Sequence, residues 1–272
     1  MISTNSVSIT PLCRKCKENY MVGIYFSGTG NTKHCSEYIL RLLDKNAPSY
    51  SIENEDATDA IRSNDEIIFA YPIYYSYLPK IVYDFITNNA VVWKGKRIFI
   101  IATMGLFSGD GAGCAARLFN KYGAKILGGL HIKMPDCIGD VKLLKKPPEE
   151  NRKIIVKADE KIENTAKQIM QGKYPKHGLS FASRLIGLFG QRLYFRKKTK
   201  RYYDGIKADT AKCVACGLCA SVCPMNNIEV KDGAVNFNGK CTMCYRCFSD
   251  CPKQAITIIG KQVYEQCKFE KY

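Results

Sequence analysis

From Met21 to Ile132, short apolar runs rich in β-branched and aromatic residues alternate with longer segments whose apolar positions recur every three or four residues. The runs Val22 to Phe26, Tyr50 to Glu53, Glu66 to Tyr71, Arg97 to Thr103 and Lys125 to Ile132 predict strands. The segments Thr32 to Leu43, Pro79 to Asn88, Ala112 to Tyr122 and Glu149 to Gln171 predict helices, with a shorter, weakly patterned one over Asp56 to Ser63. Alternation of this kind predicts an α/β, doubly wound parallel sheet of five strands with helices on its faces. Past residue 172 the pattern changes. Leu185, Ile186, Phe189 and Leu193 recur at helical spacing among Arg184, Arg192 and Arg196, which predicts an amphipathic helix laid by its apolar face on the preceding domain. Ile228 to Val230 and Ala255 to Ile258 then predict short edge strands of a small α+β module.

Composition narrows the class. With 272 residues, 46% hydrophobic positions and a mean hydropathy of −0.20, the chain can bury a sizeable core and is not a disordered tail or a membrane bundle. The longest apolar run, around Ile98 to Met104, is too short to cross a bilayer. No basic stretch followed by an apolar one opens the sequence, so a soluble cytoplasmic protein is expected. The boundaries expected are an extension over 1–20, a first domain over 21–172, a connector over 173–204, a second domain over 205–260 and a tail over 261–272. The net charge of +16 is uneven, since residues 173–207 carry ten basic side chains and one acidic one. Lys197, Lys198, Lys200 and Arg201 therefore suggest a landing strip for an acidic redox partner, with an anionic lipid surface the weaker alternative. No nucleic-acid-binding pattern accompanies the charge.

The first strand runs straight into Ser27-Gly28-Thr29-Gly30-Asn31-Thr32, and a helix follows at once. Glycines let backbone approach an anion closely, and the helix start offers unpaired N–H groups and a positive dipole end. Lys33 in the first turn opposes that dipole, a conflict that a bound phosphate would remove. The loop lacks the GxxxxGK[ST] pattern of nucleoside-triphosphate sites. It resembles the FMN-phosphate loop of flavodoxins, and the resemblance extends over residues 21–172. It implies that the flavin ring lies between the loops after the third and fourth strands. Here these are Tyr71-Pro72-Ile73-Tyr74-Tyr75-Ser76-Tyr77-Leu78-Pro79 and the stretch from Thr103 to Gly113, with Gly105, Gly109 and Gly111. Tyr74, Tyr75 and Phe107 are the candidates for stacking on the ring. Unlike most flavodoxins, this region is slightly basic.

Eight of the 14 cysteines form a repeat displaced by 28 residues: Cys213-x2-Cys216-x2-Cys219-x3-Cys223-Pro224, then Cys241-x2-Cys244-x2-Cys247-x3-Cys251-Pro252. Short spacings wrap three thiolates around one face of a cubane, and the fourth cysteine reaches the other cluster. Cys213, Cys216, Cys219 and Cys251 are thus expected on one 4Fe-4S cluster, and Cys241, Cys244, Cys247 and Cys223 on a second. Structural zinc more often uses paired CxxC units. Residues 205–260 closely resemble a two-cluster bacterial-type ferredoxin. Cys35, Cys114, Cys137 and Cys267 are isolated and read as small buried hydrophobes, while Cys13-x2-Cys16 lacks partners.

The whole chain resembles flavodoxin/ferredoxin fusion proteins, which couple FMN to two 4Fe-4S clusters. That implies electron transfer between clusters that carry one electron and a flavin that carries one or two. Two classes stay open: an oxidoreductase acting on a substrate at FMN, and a carrier that serves other redox proteins only.

Overall fold

The computed structural model describes residues 21–75, 77–193 and 202–272. The 1–20 extension with Cys13 and Cys16, Ser76, and the basic residues Arg196, Lys197, Lys198, Lys200 and Arg201 lie outside the described residues.

The sheet is built from β1 (Met21–Tyr25), β2 (Ser49–Ser51), β3 (Glu66–Pro72), β4 (Arg97–Met104) and β5 (Lys125–Lys133), all parallel in the order β2-β1-β3-β4-β5. Its central strands β1, β3 and β4 are buried on both faces, which explains their unbroken apolar runs. Ile67, Phe69, Tyr71, Ile98 and Ile100 point to one core, shared with Trp93 and with helices α2 (Ala57–Ser63), α3 (Lys80–Asn88) and α4 (Gly111–Lys121). Ile68, Ala70, Phe99 and Ile101 point to the other, against α1 (Asn31–Leu43) and α5 (Pro148–Met170). The order reverses at β1, so a crevice opens at the C-terminal strand ends between β1 and β3.

After α5 the chain forms α6 (Phe181–Gly187), which runs on through a π-turn over Leu188–Arg192. Here the structure reverses the expected face. Leu185, Ile186, Phe189 and Leu193 are exposed, whereas Gly187 is buried and Arg192 turns inward to Asp110. The physical reason lies in the π-turn. In a regular helix, five residues rotate by about 500°, which leaves Arg192 roughly 140° away from Gly187. The wider turn, closed by the Leu193 N–H donating to the Leu188 carbonyl, brings it back to the same side.

The remaining residues form two small antiparallel sheets. β6 (Lys207–Ala208) pairs with β9 (Ile256–Thr257), and β7 (Ile228–Lys231) with β8 (Ala234–Phe237) through a turn at Asp232-Gly233. Both turn residues have positive φ, as a type I′ hairpin requires. The last twelve residues run back over the first domain. The Tyr264 and Glu265 N–H groups donate to the Gly139 carbonyl, and the Phe269 N–H donates to the Thr29 carbonyl at 2.9 Å.

Candidate functional site

The glycine-rich loop leaves β1 and enters α1 through Gly30, whose φ of 97° places it in the left-handed region. Gly30 N–H donates to the Ser27 hydroxyl at 3.1 Å, closing the loop on itself. The Thr32 and Thr103 hydroxyls, both buried, meet at 2.7 Å and tie the start of α1 to the end of β4. Asn31 donates from its amide nitrogen to the Pro135 carbonyl at 2.8 Å, while its buried side-chain oxygen has no partner among the described residues. Lys33 is largely exposed and pairs with Glu37 one turn on.

A cleft enclosing about 670 Å3, part of it open to solvent, lies at these strand ends. Ser27, Gly28, Thr29, Asn31 and Thr32 line one end. Pro72, Ile73, Tyr74 and Tyr75 line a side, where the Tyr74 and Tyr77 backbones exchange hydrogen bonds across a tight turn and Tyr75 stacks on Tyr202 at 5.6 Å. Thr103 and Gly105 line the β4 end. Gly30, Gly109 and Gly111 do not line it. Gly111 begins α4 beneath Ile73, and its carbonyl accepts from the buried Tyr71 hydroxyl at 2.5 Å. Phe107 is exposed and stands apart, which leaves Tyr74 and Tyr75, of the three aromatic candidates, at the cleft.

Sequence reasoning missed half of the walls. Pro135, Asp136, Cys137 and Ile138, in the loop after β5, form one, with Asp136 accepting from the Ile138 N–H at 2.8 Å. Burial holds the Asp136 carboxyl above the usual carboxylate range and raises the Cys137 thiol well above an ordinary cysteine. Cys114, the thiol that the sequence places beside the loop, instead lies against Arg117 and Arg192. Met243, Tyr245 and Ile259, from the cysteine-rich module, form the other wall. Only the Asx-type turn at Asp136 left a local trace in the sequence.

The eight repeat cysteines line two separate cavities, and all are free thiols. Cys213, Cys216, Cys219 and Cys251 line one; Cys223, Cys241, Cys244 and Cys247 line the other. The 28-residue repeat is visible in the backbone as well. Ala215 and Met243 N–H groups donate to Cys213 and Cys241 sulfurs at 3.4 and 3.3 Å. Asn227 and Ala255 do the same for Cys223 and Cys251, at 3.4 and 3.3 Å. Positive φ recurs at Ala215 and Met243, at Gly217 and Tyr245, and at Asn226 and Gln254. Around the second cavity the Asn227 amide nitrogen and Thr242 hydroxyl are buried without partners among the described residues.

The two modules touch at the glycine-rich loop. A side chain on Gly28 would run into the Cys244 carbonyl. Arg246 makes a two-pronged ion pair with Glu53, both contacts 2.7 Å, and donates to the Ser27 carbonyl at 2.9 Å. Glu53 raises the Arg246 pKa further. Asp140, almost fully buried, accepts from the Ile258, Ile259 and Gly260 N–H groups at 2.7 to 3.0 Å and from the Tyr245 hydroxyl at 2.9 Å.

Residues 23–125 match the family model of a flavodoxin domain, and residues 207–256 match that of a 4Fe-4S dicluster domain. Among solved structures the chain is similar to the two-electron reduced flavodoxin of Megasphaera elsdenii. The two share 23% identity over 54% of this chain and 98% of that one, with a TM-score of 0.40. It is also similar to the Fusobacterium nucleatum flavodoxin bound to flavin mononucleotide, at 18% identity over 56% and 97% of the two chains and a TM-score of 0.40. No curated protein matches the chain. No helix among the described residues is long and apolar enough to cross a membrane.

Proposed function

Because the chain joins a flavodoxin domain to a 4Fe-4S dicluster domain, we propose that it is an oxidoreductase moving electrons between two 4Fe-4S clusters and FMN. The observation that carries this reading is the contact of Gly28, in the glycine-rich loop, with the backbone of Cys244, in the second cysteine set. When bound, the clusters supply one-electron chemistry and FMN supplies one- or two-electron chemistry.

The residues fit those groups. Ser27 to Thr32 offer hydroxyls and helix-start N–H groups to a phosphate. The orphaned Asn31 oxygen suits a ligand that carries hydroxyl or N–H donors, as FMN does. Tyr74 and Tyr75 offer ring faces, and Met243, Tyr245 and Ile259 exclude water from one side of the cleft. Each cysteine set offers four thiolates around a cavity, with two backbone N–H groups donating to its sulfurs. The unpartnered Asn227 and Thr242 donors suit acceptor sulfides.

Burial sets an order from outside to inside. Cys216 is exposed, and Val214 and Leu218 beside it present an apolar rim for a redox protein. Cys244 and Cys247 are buried, and Tyr245 lines both their cavity and the cleft.

Anaerobically isolated protein is expected to contain about eight iron, eight sulfide and one FMN per chain. Cys223→Ala should remove about four of each from the set completed by Cys241, Cys244 and Cys247, and spare the other. Stoichiometric zinc with little sulfide would overturn the cluster reading. Flavin occupancy unchanged in Thr29→Glu, which puts a carboxylate at the end of the cleft that Thr29 lines, would overturn the FMN site.

A further inference from the structure

Residues 264–272 close the sequence without a motif of their own, yet they bridge the two modules. One part is bound to the cysteine-rich module. The Gln266 side-chain amide donates to the Phe248 and Cys251 carbonyls at 3.1 and 2.6 Å, the Ser249 hydroxyl donates to the Cys267 carbonyl at 3.0 Å, and Lys268 pairs with Asp250. The next residue, Phe269, is bound to the glycine-rich loop. Its N–H donates to the Thr29 carbonyl at 2.9 Å, and its ring stacks on His34 in α1 at 4.2 Å. A side chain on Gly30 would run into the Phe269 Cβ. Of the residues from Ser27 to Thr32, Gly30 is the one that does not line the cleft. Phe269 therefore braces the loop from the side away from the cleft.

We propose that Phe269 is a positioning residue for the phosphate end of the cleft: by holding Thr29 and Gly30 it sets the loop for a phosphate monoester, and so makes the site select FMN over riboflavin. The inference rests on the FMN reading above and adds what gives the phosphate its grip. A loop with two glycines in four residues has wide backbone freedom, and Gly30 sits at a φ of 97° that glycine adopts and leaves with equal ease. N–H groups on such a loop bind a dianion tightly only when they are already aimed, since otherwise binding must also order them. The Phe269 N–H fixes the Thr29 carbonyl, and its ring and Cβ close off the outer face of Gly30 and the first turn of α1. Tyr74 and Tyr75, the ring faces offered to the flavin, belong to another loop, so the grip on the ring system does not depend on Phe269.

The test titrates full-length protein, carrying its iron and freed of flavin, with FMN and separately with riboflavin under anaerobic conditions, and reads the quenching of flavin fluorescence. The parent should bind FMN more tightly than riboflavin. Phe269→Ala should weaken FMN about tenfold and riboflavin by less than about twofold, with iron and sulfide contents equal to the parent's. Deleting residues 269–272 also removes the N–H bond to Thr29 and should weaken FMN further than Phe269→Ala does. A parent that binds FMN no better than riboflavin would overturn the phosphate-loop reading itself. A parent that prefers FMN, beside a Phe269→Ala variant that keeps the whole preference, would leave that reading standing and overturn the role of Phe269. Equal losses of FMN and riboflavin affinity in the variant would show that the ring only completes the core behind α1, and would overturn the proposal as well.

Discussion

Tyr245 stands at the repeat position of Gly217, and it keeps a φ of 59° where glycine is at ease. A left-handed backbone costs a non-glycine residue on the order of 1 kcal/mol. The side chain offsets it: the ring walls the cleft and the hydroxyl donates to Asp140. Gly28 shows the converse. Its missing side chain admits the Cys244 carbonyl, a reason different from the close approach to an anion that the loop sequence suggests. His131 carries the clearest pH dependence. Its Nε2 accepts from the Ala112 N–H at 3.1 Å, which leaves Nδ1 to donate to Ser108 at 2.7 Å, so the ring is neutral. Burial first, then His177 and Lys161, lower its pKa to about 4. A histidine lowered on folding stabilises fully above its unfolded value near 6.5, and loses that contribution as pH falls toward the folded one. Stability relative to His131→Asn should therefore drop by about 2 kcal/mol between pH 7 and 5. Denaturant midpoints of both proteins across that range check it, and parallel curves would refute it.

At the scale of elements, the parallel sheet was legible because the three central strands are buried on two faces and each long helix on one. Even the weak segment after β2 is helical, over Ala57–Ser63. The hairpin strand Ala234–Phe237 was missed although Asp232-Gly233 between two apolar runs is a strong type I′ signal. The repeat itself drew attention to Ile228 and Ala255 and away from the turn. The loops at Gly28 and Tyr74 were readable from their residues. The wall supplied by Pro135 to Ile138 was not, since only the sheet's closure brings it there. The connector misled most, because periodicity reveals a stripe but not which side meets the core, and a five-residue turn shifts the register. Its anchor gives a test. Asp110 is fully buried and held by Arg117 at 2.7 Å and Arg192 at 3.0 Å. Arg192→Ala should destabilise the protein by about 3 kcal/mol, while Arg184→Ala, whose side chain is exposed, should change little. Equal effects in urea unfolding would show that the Arg192 pair adds nothing.

Across the whole molecule, the cysteine-rich module is joined to the sheet domain by polar contacts and by an apolar seam, where Tyr75, Cys137 and Ile138 pack on the core around Tyr245 and Phe248. Arg246 holds Glu53 and the Ser27 carbonyl, and the C-terminal segment lays Phe269 on His34 at a ring distance of 4.2 Å. Asp140 is the most demanding link, because one carboxylate satisfies three backbone N–H groups and a phenol. Removing it strands four donors in a site closed to water, whereas removing the phenol leaves the three N–H bonds in place. Asp140→Ala should therefore cost about 3 to 5 kcal/mol, and Tyr245→Phe only about 1 kcal/mol. The two losses should not add. The hydroxyl bonds to Asp140, so the double variant should be no less stable than Asp140→Ala alone, and a double-mutant cycle should return a coupling near the cost of Tyr245→Phe. Anaerobic unfolding, followed in parallel through tyrosine signals and visible cluster absorption, reads both stability and cooperativity. Coincident transitions are expected for the parent, and separated ones for Asp140→Ala as the modules come apart. Additive losses, or transitions that remain coincident after Asp140 is removed, would place the link elsewhere, with Arg246 and Glu53 next in line.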